Sequence, residues 1–144
     1  MTEYTLLLVK PNAFAKRRAG AILQMVEQNG FELIEVKTMV LSVTMAEDFY
    51  SIHKGKDVFN DLVSFMSSGK IIAAIIKMDD AVHQLRELVG STNPALAHPG
   101  TIRYLYGEAI NRNAVHASDS IENAREEIKI VFPEFLKSII NQGV

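Results

Sequence analysis

Residues 71–76 read IIAAII, six consecutive apolar residues of which four are β-branched isoleucines. A short run of this kind favours a strand, and a strand that has no polar side must be covered on both faces. The sequence therefore predicts a central strand in a layered fold, with other elements packed against each of its faces. The chain has 144 residues, which is enough for one domain with a substantial core. We expect residues 1–144 to form that single domain.

Three further strands are predicted, at residues 4–10, 32–41 and 114–116. The first is a short apolar run that ends before Pro11, and a residue that precedes proline is biased towards extended backbone. The second alternates in polarity, which is typical of a half-buried strand. In this strand Ile34, Val36 and Val40 are expected on the buried face, and Glu35 and Lys37 on the solvent face.

Apolar residues at helical spacing predict helices between these strands. Thr44 and Glu47 have the spacing of a capping box, so a helix is expected to begin there and run to about residue 53. Asp57 and Asp80 are expected to begin two more helices. Helical segments are predicted at residues 19–28, 44–53, 57–68, 80–89 and 118–131, with a further short helix after residue 132. This order of elements indicates two βαβ-like halves and hence a ferredoxin-like four-stranded sheet.

Composition and charge exclude several classes of protein and of functional site. The chain has 15 Lys and Arg against 17 Asp and Glu, a net charge of −2, which argues against a protein that mainly coats nucleic acid. It has no cysteine, which excludes disulfides, thiolate zinc sites and a cysteine nucleophile. Its first residues show no basic leader and no apolar run long enough to span a membrane, so a cytoplasmic location is expected. It also has no glycine-rich phosphate-binding motif, so a phosphate ligand would have to be bound by side chains.

His116 is the main candidate for chemistry. It ends a short strand in the segment NAVHASDS, and a helix is expected to begin directly afterwards. Helical spacing turns Glu126 towards solvent and puts Glu127 beside Ser120, at the edge of the apolar stripe. A carboxylate there can accept one imidazole N–H and leave the other nitrogen to react. The alternatives are a half-buried histidine bonded to backbone and an ordinary surface glutamate. The apolar stripe itself is expected to comprise Ile121, Ala124, Ile128, Val131 and Phe132.

Several polar residues could bind phosphate near this histidine. Lys10 ends the first strand, and Arg86 lies near the end of a predicted helix, where a cation can simply complement the helix dipole. Thr92 and Arg103 lie in residues 90–112, a connection without a clean period, and a connection of this length is usually functional. Together these side chains could converge on a polyphosphate, since arginine matches phosphate oxygens well.

These features together resemble the nucleoside diphosphate kinase family. The resemblance covers roughly residues 4–135. It is carried by NAVHASDS at 113–120, KPNA at 10–13, TNP at 92–94, PGTIR at 99–103 and FMSSG at 65–69. It implies a ferredoxin-like α/β (α+β) fold of βαββαβ order, with four antiparallel strands, helices on one face, and a long loop that serves the nucleotide site and subunit contacts.

The resemblance also implies an activity and roles for individual residues. The γ-phosphate of a nucleoside triphosphate would pass to a nucleoside diphosphate by a ping-pong route through a phosphohistidine on His116. Mg²⁺ would arrive on the nucleotide phosphates, with no direct metal ligand from the protein. Glu127 and Ser118 would support the histidine and Tyr50 would line the pocket. Nucleotide contacts would come from Lys10, Asn113, Arg86, Thr92 and Arg103, and an aliphatic base slot from Val58, Leu62 and Ile110 with Phe59 beside Val58.

The sequence departs from the family pattern at three places. Ala117 replaces the usual glycine after the histidine, and its methyl group could perturb backbone that glycine relaxes. Val58 replaces the usual phenylalanine that stacks on the base. Residues 104–108 read YLYGE in place of a small, acidic stretch. Ala117 and Val58 leave open the alternative of a catalytically silent nucleotide-binding domain. A second alternative is an RNA-binding module, since ferredoxin-like sheets often bind RNA. The resemblance further implies a homo-oligomer, with a tetramer favoured over a hexamer.

Overall fold

The fold is described here from a computed structural model, which describes residues 2–141. Its four strands are β1 (Thr2–Val9), β2 (Glu32–Val40), β3 (Lys70–Asp79) and β4 (Val115–Ala117). Its helices are α1 (Pro11–Ala15), α2 (Ala19–Gln28), α3 (Val43–Phe49), α4 (Val58–Met66), α5 (Ala81–Val89), α6 (Ile102–Tyr106), α7 (Ile121–Val131) and α8 (Pro133–Asn141). Single turns of 3₁₀ helix lie at Ser51–His53 and Pro94–Leu96. No helix in this described part is long and apolar enough to cross a membrane.

The strands form one antiparallel sheet in the order β2-β3-β1-β4. β1 pairs along its whole length with β3, and β4 pairs with the other edge of β1, where His116 lies opposite Leu8. The helix pair α3 and α4 is inserted between β2 and β3. The four-stranded ferredoxin-like sheet predicted from the order of elements is therefore confirmed.

Helices cover both faces of this sheet. Successive residues of β1 and β3 point to opposite faces, so Leu7 and Ala74 belong to one core while Leu6 and Ala73 belong to the other. The first core also takes residues from α2 and α5, and the second takes residues from α3, α4, α7 and α8. The IIAAII run is thus a strand covered on both sides, as predicted. The expectation that helices occupy one face is wrong, because the inserted pair and the last two helices pack on the second face.

The facing of β2 also differs from the prediction. The register between β2 and β3 shifts at Ile34, which inserts a residue and reverses which side chains face the core. Val36 and Val40 are consequently 43% and 54% exposed. Lys37 turns inward instead, where its ammonium lies 4.3 Å from the Phe132 ring centroid. Strict alternation in the sequence carries no sign of the extra residue.

Several helix boundaries are set by other residues than those predicted. Ser42 caps α3, since its hydroxyl accepts a hydrogen bond from the Met45 N–H at 3.0 Å, so the Thr44 capping box does not form. Asp57 precedes α4 but makes no capping bond through its side chain.

Two further expectations differ from the structure. Ile121 is 50% exposed and lies outside the buried stripe of α7. Residues 90–112 include α6 and a 3₁₀ turn, so this connection is more ordered than its sequence suggests.

Candidate active site

His116 lies where a three-residue strand gives way to a helix. Its backbone belongs to β4, and four residues later Ser120 caps α7 by accepting a hydrogen bond from the Asn123 N–H at 3.0 Å. This short connection brings the second turn of α7 back over the end of the strand. There the imidazole Nε2 of His116 lies 2.7 Å from Oε1 of Glu127.

A second hydrogen bond fixes the carboxylate of this pair. The hydroxyl of Ser118, which is fully buried, donates to the same Oε1 atom of Glu127 at 2.6 Å. The neighbouring Glu126 points to solvent and pairs with Lys129 at 3.3 Å. The structure thus separates the two glutamates in the way that helical spacing predicts, and the half-buried His116 bonds to a side chain rather than to backbone.

Two aromatic rings form a wall beside the imidazole. The ring of Phe49 meets the ring of His116 edge-on with centroids 4.8 Å apart, and the ring of Tyr50 lies at 6.5 Å. The Tyr50 hydroxyl is buried and has no hydrogen-bond partner among the described residues. Burial, together with the charge of Glu127, raises the pKa of Tyr50, so its hydroxyl remains a hydrogen-bond donor.

Lys10 is buried at the end of β1. Its ammonium donates to Oδ1 of Asn113 at 2.8 Å, and the Asn113 amide in turn donates to the backbone carbonyl of Thr92 at 3.0 Å. Burial, with smaller contributions from the charges of Arg103 and Arg112, lowers the pKa of Lys10 to about 7. Lys10, Asn113 and Thr92, which are far apart in sequence, are therefore joined in one chain of contacts.

The two predicted arginines bind the backbone around β4. Arg103 is 5% exposed and donates to the carbonyls of Gly90 at 3.0 Å and Val115 at 2.9 Å. Its Nε atom is buried without a partner in the part of the chain that the structure describes. Arg86 donates to the carbonyl of Ala117 at 3.3 Å. Burial and the charge of Arg86 lower the pKa of Arg103 to about 10, which keeps it charged at neutral pH.

The backbone between these groups is strained at one residue. Ala114 has a φ of 76° and is fully buried, and the Val115 N–H donates to the Asn113 carbonyl at 3.0 Å across it. This tight turn directs the Ala114 carbonyl to the Lys10 N–H at 2.8 Å. A left-handed alanine is unfavourable by about 1–2 kcal/mol, so the surrounding contacts must hold it in place.

With this geometry established, comparison with known proteins identifies the family. The model of the nucleoside diphosphate kinase family matches residues 3–136. The chain belongs to the nucleoside diphosphate kinase family. A relative with that name from Helicobacter pylori is 46% identical over 132 residues, which are 92% of this chain and 96% of the relative. Another, from Chlamydia abortus, is 45% identical over 130 residues, 90% of this chain and 92% of the relative.

Solved structures of the nucleoside diphosphate kinase family agree with this fold. The enzyme of Aquifex aeolicus superposes with a TM-score of 0.90 at 38% identity and covers 92% of this chain and 96% of its own. That of Encephalitozoon cuniculi gives a TM-score of 0.88 at 36% identity, with coverage of 90% and 88%. The resemblance, the fold and the enzyme class predicted from the sequence are confirmed: the chain is an enzyme of a family that transfers phosphate between nucleotides.

The four residues predicted to form the base slot differ in how deeply they are buried. Val58 and Ile110 are 42% and 54% exposed, whereas Phe59 and Leu62 pack partly against the core beneath α4. Their role in binding a base stays a prediction.

Ala117, another departure from the family pattern, lies in β4 opposite Leu7 and has no positive φ. Its backbone therefore has no need of the freedom that glycine would provide.

Sequence reasoning missed three residues that contribute to this region. Phe49 packs against the imidazole from α3. Arg112 lies over Phe65, with the guanidinium carbon 3.9 Å from the ring centroid. Glu108 binds Lys16 and Asn12, although it belongs to a stretch seen only as a departure from the family. The positions of Arg112, directly before the histidine motif, and of Glu108, five residues before it, are the one signal that could have drawn attention to them.

Proposed function

We propose that this single catalytic domain transfers the γ-phosphate of a nucleoside triphosphate to a nucleoside diphosphate through a phosphohistidine on His116. The observation that carries the proposal is the 2.7 Å contact between Nε2 of His116 and Glu127. An Nε2–H that donates to the carboxylate leaves the lone pair of Nδ1 as the nucleophile.

The reaction runs in two balanced steps. In the first, Nδ1 of His116 bonds to the γ-phosphorus, the bond from that phosphorus to its bridging oxygen breaks, and the nucleoside diphosphate leaves with the electron pair. In the second, a terminal oxygen of another nucleoside diphosphate bonds to the phosphorus, the Nδ1–phosphorus bond breaks, and its electron pair returns to Nδ1, which regenerates His116. Glu127 stabilises the positive charge that the ring acquires when it attacks, and Ser118 keeps the carboxylate in place.

Five polar side chains are proposed to bind the phosphates and sugar. Lys10 and Asn113 are held against each other beside the histidine and would reach the transferring phosphate and the ribose hydroxyls. Arg86 and Arg103, which donate to backbone carbonyls of β4, would neutralise phosphate charge, with Thr92 as a hydroxyl donor. Tyr50 would line the pocket as a neutral donor. Groups already fixed by backbone contacts need little reorganisation when charge develops, which is how preorganised sites lower barriers.

The base is proposed to lie between Val58 and Leu62 on α4 and Ile110 on the loop that follows α6, with Phe59 supporting the helix. These walls are aliphatic, and a wall without hydrogen-bonding groups discriminates weakly between bases. Broad use of nucleoside diphosphates is the expected consequence.

Mg²⁺ is proposed to enter with the nucleotide. Apart from Glu127, the charged side chains of the proposed site are Lys10, Arg86 and Arg103, whose donors match phosphate oxygens rather than a cation. Among the residues described, 2–141, there is no group of three or more acidic, histidine or cysteine side chains that could hold a metal ion. Bound to the phosphates, Mg²⁺ would neutralise part of their charge.

Assembly into a homo-oligomer, a tetramer rather than a hexamer, also stays a proposal. Leu96 is 72% exposed, and Tyr104 and Leu105 are 51% and 49% exposed, all in the long connection that the family resemblance links with subunit contacts. Light scattering would measure the mass in solution, and a stable monomer would contradict the proposal.

The activity is tested by incubating the protein with ATP, GDP and Mg²⁺ and measuring GTP by chromatography. Wild-type protein is expected to form GTP, and His116→Ala is expected to lose at least about 10³-fold of the rate while it still binds ADP. Nucleotide binding without transfer by the wild type would favour the silent binding domain. Transfer by His116→Ala at the wild-type rate would mean that another group is the nucleophile.

A further inference from the structure

Asp61 and Arg112 connect helix α4 to the loop that follows α6. Nη1 of Arg112 lies 3.2 Å from Oδ2 of Asp61 and Nη2 lies 3.3 Å from Oδ1, so the guanidinium meets the carboxylate with two nitrogens. The same guanidinium stacks over Phe65, a buried residue one turn further along α4. Arg112 is thus held on α4 by both charge and an aromatic face.

The loop itself is a tight turn, which we call the 107–113 turn after its residues. The carbonyl of Arg112 accepts hydrogen bonds from the N–H groups of Glu108 at 2.8 Å and Ala109 at 3.2 Å, and its N–H donates to the carbonyl of Ala109 at 3.0 Å. Ile110 lies at the tip of this turn and Asn113 at its base. A shift of Arg112 would therefore move both residues.

Helix α1 holds the 107–113 turn from the other side. Nδ2 of Asn12 donates to Glu108 at 2.7 Å and to the Arg112 carbonyl at 3.1 Å, and Lys16 pairs with Glu108. The turn is accordingly tied to α1 through backbone and Glu108, and to α4 through Asp61. The tie to α4 determines how far the turn lies from that helix.

We propose that Asp61 and Arg112 are positioning residues for nucleotide binding, because they set the distance between Ile110 and the Val58–Leu62 face of α4. Asp61 is the residue before Leu62 and lies one helical turn after Val58, so it stands beside the proposed slot. The inference rests on the proposed function, since it assumes that a nucleotide base occupies this slot.

The partial exposure of the Asp61–Arg112 ion pair allows its effect on nucleotide binding to be separated from any effect on stability. The side chains of Arg112 and Asp61 are 37% and 44% exposed, and ion pairs with such exposure contribute little to global stability. Breaking the pair is therefore expected to weaken nucleotide binding without lowering the melting temperature. A merely structural role would not separate these two effects.

The test measures the Kd of ADP with Mg²⁺ by isothermal titration calorimetry for wild type and for Asp61→Asn. We expect binding to weaken about threefold, with an unchanged melting temperature. Asp48→Asn is the matched control, because Asp48 is exposed on α3 and makes no ion pair within residues 2–141. The charge reversal Asp61→Arg with Arg112→Asp is expected to recover at least half of the loss relative to Asp61→Arg alone.

A second readout uses phosphoramidate, a phosphate donor with neither base nor sugar. Its rate of phosphorylating His116 is expected to be the same in Asp61→Asn as in wild type, because it does not use the slot. An ADP Kd for Asp61→Asn equal to that of the control would overturn the inference, as would a parallel fall in binding and in phosphoramidate reactivity. Failure of the proposed function is seen separately, as wild-type protein that binds ADP but never forms phosphohistidine.

Discussion

The two sides of the proposed site are built in different ways. His116 is held by a buried frame, in which Ser118 is fully inaccessible and Glu127 accepts from both residues through one oxygen. The base side is formed by Val58 and Ile110, which are largely exposed, and is tied together by an exposed ion pair. Phosphoryl transfer requires a nucleophile fixed to a fraction of an ångström, whereas a slot that accepts many bases requires only a suitable width.

Because the His116 side of the site is buried and fixed, a substitution there is expected to lower the rate of phosphoryl transfer strongly. Glu127→Gln keeps the size of the side chain but removes the charge that stabilises the reacting imidazole. We expect kcat/KM for ATP to fall about 10- to 100-fold, with ADP binding changed by less than about twofold. Steady-state kinetics and calorimetry provide the two measurements.

The neighbouring glutamate supplies the control for this variant. Glu126→Gln makes the same chemical change one residue away, where the side chain points to solvent and pairs only with Lys129. Its kinetics are expected to match those of wild type. Equal losses from both variants would show that the frame around His116 has no special role.

A second prediction concerns pH and Lys10, which is buried like the frame but titrates. Since the pKa of Lys10 is lowered to about 7, its charge is lost as the pH rises through that value. We expect kcat/KM for ATP to fall above about pH 7 in the wild type, because this parameter reports the free enzyme. In Lys10→Arg, whose guanidinium stays charged, this fall should disappear, and an unchanged fall would assign it to another group.

The same shift predicts a change in stability. Between pH 7 and 10.5 the unfolded chain retains a proton on Lys10 that the folded chain has released. Stability therefore rises with pH across this window, since the unfolded state binds more protons there. Urea unfolding gives the free energy of unfolding of Lys10→Met minus that of wild type. This difference should be smaller at about pH 9 than at about pH 6. A difference that stays constant would contradict the lowered pKa.

The smallest predicted effect lies outside both sides of the site. Arg17, next to Lys16 at the end of α1, has a φ of 61°. Arg17→Gly removes the left-handed strain but gives the unfolded chain more freedom, so a net gain of about 0.5 kcal/mol in the free energy of unfolding is expected. Urea unfolding measures this gain. Because Arg17 contributes to neither side of the site, a changed KM for nucleotides would contradict the account.

Local sequence patterns predicted the buried side better than the exposed side. Helical spacing alone separates Glu127 from Glu126, since both depend on the 100° step of a single helix. The reversed facing of β2 came from one extra residue at Ile34, which alternation does not reveal. Phe49 and Arg112 act on partners more than 45 residues away in sequence, so only the tertiary fold brings them into the site. Ser42 and Thr44 can both cap a helix. Ser42 caps α3 because the backbone begins the helix at Val43, so that Ser42 and not Thr44 occupies the capping position.

The position of the phosphate on the His116 ring shows which imidazole nitrogen is the nucleophile. Wild-type protein is phosphorylated with ATP and Mg²⁺, freed of nucleotide at alkaline pH, and examined by phosphorus and nitrogen NMR. Because Glu127 holds Nε2, the account predicts phosphate on Nδ1, lost when GDP is added with the formation of GTP. Phosphate on Nε2, or a protein that binds nucleotide and carries none, would contradict it.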